Sequence, residues 1–300
     1  MVTRMFPAIT HLGVFGTPGA RLCRSHGDRV AVGACGRTCT ISAVETLTPA
    51  LLLMLFSVAL IAGSIDAVAG GGGLLTLPAL LLAQVPPVNA LATNKLQSGF
   101  GTFTSAFSMY RNGLTGQVRL TVPFVCALLG SAAGTTMVQF VDASALTVIV
   151  PVVLATIAVY FIVMPRREDA ERPATVGTGV YHGAIIPSIG FYDGAIGGGT
   201  GSFFTAAAVS LRGQRLVAAT AQARALNFAT NAASLVIFGF GGKMLWIVGG
   251  VMAVGQVIGA YAGACVVSRG GARFIRPVVV TVCLAMLAQY LWSQGWLFRP

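Results

Sequence analysis

Four charged side chains lie within long apolar stretches of this chain and are the residues best suited to chemistry. Asp66 and Asp193 each precede a run of glycines by four residues, and Lys95 and Arg224 follow later in the same stretches. Within a membrane helix such a side chain costs about 2.5–3.5 kcal/mol on insertion scales, so each needs a partner. The aspartates could cap a helix break or take up a proton, and the cations could reach the lipid headgroups or bind an anion.

The two glycine runs predict breaks in membrane helices. Successive glycines lower helix propensity without adding contact surface, so close packing alone does not account for them. A break exposes backbone N–H groups at the start of the next half-helix, and this positive dipole end can bind an anion. The glycines assigned to a substrate site on this basis are Gly70, Gly71, Gly72, Gly73, Gly197, Gly198 and Gly199.

Each cation has a glutamine two positions away, in opposite order in the two stretches. Lys95 precedes Gln97, whereas Gln222 precedes Arg224. The amide could add a donor for an anion if the helix start is irregular, because a regular helix separates positions i and i+2. The substrate-binding set therefore also contains Thr93, Asn94, Lys95, Gln97, Gln222 and Arg224.

A fixed offset of 127 positions relates the two stretches, pairing Gly70 with Gly197. An offset sustained over a half-chain indicates a duplicated unit. Five predicted segments per half, an odd number, favour repeats that enter the membrane from opposite sides. If the segments around each glycine run form one unit, the count falls to eight and the repeats are parallel. Small residues at Gly130, Gly134, Gly259 and Gly263 predict close helix packing.

Composition indicates an all-α polytopic membrane protein made of two duplicated halves, each with four to five helical segments. Apolar residues make up 55% and charged residues 9% of the chain, the mean hydropathy is +0.82, and the long apolar runs lack strand alternation. The net charge of +11 comes from arginines in short loops, as the positive-inside bias predicts, rather than from a nucleic-acid-binding face.

The chain divides into four parts. Residues 1–45 form an extension predicted to be disordered or to result from a misplaced start, 46–164 the first repeat, 165–176 a cytoplasmic linker, and 177–300 the second repeat. Cys23, Cys35 and Cys39 lie in the extension at spacings that match no zinc finger we would trust. We expect no metal and no cofactor.

Three segments together resemble the sulfite exporter TauE/SafE family, also called the 4-toluene sulfonate uptake permease family. They are 63–78 (GSIDAVAGGGGLLTLP), 89–97 (NALATNKLQ) and 190–194 (GFYDG), and the resemblance covers about 47–295. It implies a bacterial inner-membrane protein with an internal duplication, and export or uptake of sulfite, sulfonates or other small organic anions. It does not fix the substrate.

The residues and the resemblance together predict a secondary transporter of a small anion, containing sulfur, in the bacterial inner membrane. Its partners would be the anion, the lipid bilayer and a proton as coupling ion, with the oligomeric state left open. A passive anion channel is the alternative. A membrane-embedded enzyme is not expected, since no hydrolytic or metal-binding constellation is visible.

The predicted topology can be tested with fusions. A reporter active only in the cytoplasm should give signal when fused after Glu168, in the linker, and none after Ala143, because the arginine-rich loops lie on the cytoplasmic side. Equal signal at both positions would overturn the topology.

Overall fold

A computed structural model of the chain describes residues 48–115, 120–140 and 173–270, and these are helical with short connections. The predicted extension 1–45, the segments at about 144–164 and 272–295, and most of the linker lie outside the described residues. The cysteines of the extension whose spacing was compared with zinc fingers lie outside the described residues as well.

The first described helix begins with a conventional cap. Thr48 accepts a hydrogen bond from the Leu51 N–H at 3.3 Å and is followed by Pro49 at the first helical position. The third helix begins at Pro87, where proline supplies the fixed φ of a first turn, and it has no side-chain cap. The helices are α1 (Pro49–Ala69), α2 (Gly73–Leu82), α3 (Pro87–Arg111) and α4 (Thr121–Val138).

The second half gives the same succession of helices. Its first helix contains a π-helical turn that the sequence did not indicate, at Tyr181–Ile185. The helices are α5 (Thr178–Val180, the π turn and Ile186–Ala195), α6 (Thr200–Arg212), α7 (Leu216–Phe240) and α8 (Trp246–Gly270).

Both glycine runs break the helix, as predicted. Gly70 ends α1 with a φ of 83°, and Gly197 and Gly199 separate α5 from α6 with φ values of 80° and 76°. Residues with a Cβ rarely adopt this left-handed region. The glycines therefore let the chain turn between a long helix and a short one.

Two helix pairs join the halves through glycines, α1 with α8 and α4 with α5. In the first pair, a methyl group at Gly259 would overlap the Leu60 carbonyl, and one at Gly263 would overlap the Ser64 carbonyl. The second pair repeats this arrangement, with Gly130 against the Pro187 carbonyl and Gly134 against the Phe191 carbonyl. The prediction of close packing at these four glycines is confirmed.

Residue numbers rise together along both members of each pair, so the helices of each pair run in the same direction. α8 also runs parallel to α3, since Leu245 N donates to Thr93 Oγ1 and Gly249 contacts Leu96. Likewise α4 runs parallel to α7, because Ser131 bonds the Thr230 carbonyl and Thr135, one turn later, bonds Ser234. Short connections join α3 to α4 and α7 to α8, so the two helices joined in each case are expected to run in opposite directions. α1 and α3 then run one way, and α5 and α7, their counterparts in the second half, run the other way. This pattern supports inverted rather than parallel repeats, and the inversion stays a prediction.

The chain is a helical membrane protein. Among the described residues, three helices are long and apolar enough to cross a membrane: Pro49–Ala69, Thr121–Val138 and Trp246–Arg269. α3 presents exposed Phe100, Phe103 and Phe107 on one side and buried polar residues on another. A polar interior and an apolar exterior are what a helix needs if it contacts lipid while lining a functional site.

The glycine contacts give a stability prediction. Gly259→Ala should lower the melting temperature of the purified full-length protein, since its methyl meets backbone of α1 and overpacking typically costs about 1–3 kcal/mol. Gly250→Ala is the matched control on the same helix, because a Cβ there meets nothing within 4 Å. Equal melting of both variants would contradict the packing described above.

Candidate functional site

Asp66 lies in the last turn of α1 and caps the break that follows it. Its Oδ1 accepts a hydrogen bond from the Gly72 N–H at 3.1 Å, and its backbone carbonyl accepts from the Gly70 N–H at 2.8 Å. The side chain is 5% exposed. Asp66 therefore has the geometry of a cap, one of its two expected roles, and it satisfies a backbone donor that lipid could not.

Asp193 occupies the equivalent position before the second break but uses a different donor. Its Oδ1 accepts from the Thr200 hydroxyl, the first residue of α6, at 2.5 Å. The neighbouring Tyr192 hydroxyl donates to the Gly198 carbonyl at 2.6 Å. Both hydrogen bonds connect the end of α5 to the turn that leads into α6.

Lys95 of α3 crosses from the first half to Asp193 in the second. Its ammonium nitrogen lies 2.8 Å from Asp193 Oδ2 and donates to the Asp193 backbone carbonyl at 2.5 Å. Neither side chain is exposed by more than 1%. The ammonium group thus neutralises the carboxylate and also holds the last turn of α5.

Arg224 of α7 makes the reciprocal crossing to Asp66. Its Nη1 lies 3.6 Å from Asp66 Oδ1 and also donates to the Asp66 carbonyl. The guanidinium packs so closely on Gly70 and Gly201 that a Cβ at either position would overlap it. The interpretation of Lys95 and Arg224 as side chains that reach the headgroups is wrong, because both are fully buried and end on carboxylates of the other half.

The two glycine breaks lie against each other. A Cβ on Gly73 would lie 2.8 Å from the Gly197 carbonyl, and the Ser202 hydroxyl donates to the Ala69 carbonyl at 2.5 Å. The structure thus brings Asp66 and Asp193, with their cations, into one cluster at the meeting point of the breaks. Whether substrate binds there stays a prediction.

The polar neighbours of Lys95 line the same break. Asn94 Oδ1 accepts from Thr76 Oγ1 at 2.5 Å and from Gln97 Nε2 at 2.8 Å. Asn94 Nδ2 would lie 3.3 Å from a Cβ on Gly73. Thr93 differs, since its hydroxyl accepts from the Leu245 N–H at 3.2 Å and so joins α3 to the start of α8.

The helices that carry the two glutamines lack the irregularity that a glutamine and a cation two positions apart would need to bind an anion together. α3 and α7 are regular helices here, so each glutamine points away from the cation two positions along. Gln222 Nε2 donates to the Thr115 carbonyl, in the connection after α3, at 3.2 Å. Gln222 therefore supports a connection, and Gln97 supports Asn94.

Sequence reasoning missed several residues of the cluster. Thr200 could have been found, because it directly follows a glycine run. Ser202 and Gly201 gave no comparable signal. Within the described residues, no group of three or more His, Cys, Asp or Glu side chains could hold a metal ion.

Comparison with known proteins identifies the family. The family model described as "Sulfite exporter TauE/SafE" matches residues 55–290. The chain belongs to the TauE/SafE family. The resemblance read from the glycine runs and their neighbours is thereby confirmed.

Curated relatives match most of this chain and nearly all of their own length. A "Probable membrane transporter protein" of Haemophilus influenzae is 39% identical over 82% of this chain and 96% of its own. "Probable membrane transporter protein YfcA" of Escherichia coli K12 is 39% identical over 85% and 95%, and "Probable membrane transporter protein ORF9" of a Sinorhizobium species is 40% identical over 80% and 92%. No solved structure matches the chain.

The chain is thus a membrane transporter of the TauE/SafE family and not an enzyme, as predicted. In this family member, buried charge concentrates at one place. Four charged side chains are buried among the described residues, and all four belong to the cluster: Asp66, Lys95, Asp193 and Arg224.

The crossed ion pairs give a second stability prediction. Lys95→Gln leaves the Asp193 carboxylate buried without its cation, and removing one partner of a buried pair costs about 3–5 kcal/mol. Adding Asp193→Asn should recover most of that loss, because neither charge then remains. Melting temperatures of the purified full-length variants measure both effects, with exposed Lys243→Gln as control. A single variant as stable as wild type would contradict the pairing.

Proposed function

We propose that this protein is a secondary transporter that carries a small sulfur-containing anion, such as sulfite or a sulfonate, across the bacterial inner membrane, which it spans several times. The family description supports sulfite as a member of the substrate class. The apolar helices and the membrane-transporter relatives support the location. The observation that carries the proposal is the pair of crossed cations at the meeting glycine breaks.

A buried cation attracts an anion more strongly than half-helix ends do. A helix N-terminus contributes about 0.3–1 kcal/mol when exposed and about 2 kcal/mol when partly buried, which orients an anion without offsetting its dehydration. A fixed cation at low dielectric attracts more strongly and forms charge-assisted hydrogen bonds about twice as strong as neutral ones. Lys95 and Arg224 supply that attraction, and the starts of α2 and α6 orient the anion.

Arg224 has a buried nitrogen that makes no hydrogen bond in the part of the chain that the structure describes. Within the described residues, Arg224 Nη2 is buried without a hydrogen-bond partner, and so are Asp66 Oδ2 and Asp193 Oδ2, the latter in ion-pair contact with Lys95. Lys95 instead approaches both a side-chain and a backbone oxygen of Asp193 within 2.8 Å. We infer that the anion first engages Arg224, whose separation from Asp66 Oδ1 is longer, at 3.6 Å.

Charge balance supports a proton as the coupling ion. The four buried charges of the cluster sum to zero, so an arriving anion would leave one uncompensated negative charge in a low-dielectric site. A proton taken up by Asp66 or Asp193 removes that charge and frees the paired cation for the anion. The aspartates would then serve both as caps of the breaks and as proton carriers.

Transport by purified full-length protein in liposomes tests the proposal. With sulfite or ethanesulfonate, we expect accumulation above equilibrium when a proton gradient is imposed. A passive channel would only equilibrate the anion, and that result would reject coupling. A wild-type protein that moves neither anion would reject the proposed substrate class.

The role of the cations is tested in the same assay. Arg224→Gln should weaken the apparent affinity for the anion by at least about tenfold, because a buried charge-assisted contact is lost. The control Lys243→Gln changes an exposed cation and should transport normally. Membrane insertion must be normal for both, and unchanged transport by Arg224→Gln and Lys95→Gln would end the assignment of the site.

A further inference from the structure

Gln256 carries a fully buried amide that, among the described residues, takes no part in the ion pairs or in the hydrogen bonds between helices. It lies on α8, its side chain is 0% exposed, and neither Nε2 nor Oε1 has a hydrogen-bond partner within the part of the chain that the structure describes. A buried polar group without a partner is costly, so native proteins rarely keep one. The free amide therefore indicates a ligand that is present during function.

A glycine of α3 makes room for the Gln256 side chain. Gly101 of α3 faces the amide so closely that a Cβ would overlap Gln256 Cγ and lie 3.0 Å from Nε2. Gln97 lies one turn earlier on the same face of α3, and it is also fully buried, with Oε1 unpartnered among the described residues. Gln97 Nε2 donates to Asn94, which lies beside Gly73, so Gln97 connects to the glycine break, and Gln256 lies against Gly101, four residues further along α3.

The corresponding place in the fold, formed by α7 and α4, lacks this arrangement. At the 127-position offset Phe228 corresponds to Gly101, and at the offset of 129 that pairs Gly130 with Gly259, Ala127 corresponds to Gln256. Backbone contacts agree with that correspondence, because Gly63 faces the Gln256 carbonyl and Gly190 faces the Ala127 carbonyl. The amide is therefore not required by the helix packing, which the other half achieves with alanine at the same place.

The free atoms define what could bind. They comprise two acceptors, Gln97 Oε1 and Gln256 Oε1, and one amide donor, Gln256 Nε2. A fully deprotonated sulfonate only accepts hydrogen bonds, so it would leave both acceptors unsatisfied. A group with an O–H or N–H can satisfy an acceptor and the donor together.

We propose that Gln256 and Gln97 form an amide subsite for the uncharged O–H or N–H end of the transported anion, which makes the substrate class a small oxyanion that also carries a hydrogen-bond donor. This rests on the proposed function, in which the cluster of Asp66, Lys95, Asp193 and Arg224 holds the anionic end. The subsite would give the anion one orientation, since only one of the two corresponding places in the fold carries these amides.

A pair of probes that differ by one hydroxyl tests the subsite. Competition by 2-hydroxyethanesulfonate and by ethanesulfonate is measured against labelled 2-hydroxyethanesulfonate in liposomes containing the full-length protein. We expect wild type to prefer the hydroxylated anion by about tenfold, the order produced by leaving a buried amide unpaired. Gln256→Met keeps the side-chain length without hydrogen-bonding atoms, and its preference should fall to about one.

Two further variants keep the result interpretable. Gly101→Ala keeps Gln256 but displaces its side chain. It should therefore also reduce the preference for the hydroxylated anion, even if Gln256→Met folds poorly. Gln139→Met removes an exposed amide at the end of α4 and should keep the preference of wild type. Melting temperature and insertion are measured for each.

The outcomes separate this inference from the proposed function. Equal competition by both anions in wild type means that water satisfies the amide, which overturns the subsite and leaves sulfonate transport standing. A preference that survives both Gln256→Met and Gly101→Ala also overturns it. Transport of neither anion by wild type overturns the proposed function and the subsite together.

Discussion

Buried charges in a membrane protein must find partners within the protein, and in this chain each finds its partner in the other half. Lys95 reaches Asp193 and Arg224 reaches Asp66, and each cation also bonds the backbone carbonyl of its aspartate. In this arrangement neither aspartate is neutralised by the cation of its own half, and removing either half would leave a buried charge without its partner. The ion pairs therefore join the halves at the two points where the helices break.

The glycines decide whether those pairs can form. Gly70 and Gly201 leave room for the guanidinium, and Gly197 lies where a Cβ would be 3.1 Å from Lys95 Nζ. Glycines in α4 and α8 bring these helices against backbone carbonyls of α5 and α1. Without a hydrophobic force between helices in lipid, such close contact supplies the packing energy. The same residue type thus brings the halves together and opens the cluster between them.

The two halves are similar but not equal, and the differences lie at the site. One pair uses lysine with both contacts short, and the other uses arginine with one nitrogen unpartnered among the described residues. Gln256 fills a place that alanine occupies in the other half. The two halves share the same succession of helices, and the unequal side chains make the two sides of the cluster chemically different.

The sequence alone determined the membrane class, the family and the breaks. Long apolar runs require helices, since lipid offers no partner for backbone groups. Successive glycines interrupt them, at Gly70 and again at Gly197 and Gly199. These features are local, so composition and spacing suffice to find them. The π turn in α5 escaped because neighbouring turns and packing shift such details.

The tertiary structure alone decided which charges pair and which amides are free. Lys95 and Asp193 are 98 positions apart, and nothing in the sequence around either residue indicates that the two form an ion pair. Sequence position likewise could not show that Gln222 bonds the Thr115 carbonyl while Gln256 bonds nothing among the described residues. The reason is physical: an ion pair or hydrogen bond depends on distances between helices, and those are set by how closely glycine-bearing surfaces approach.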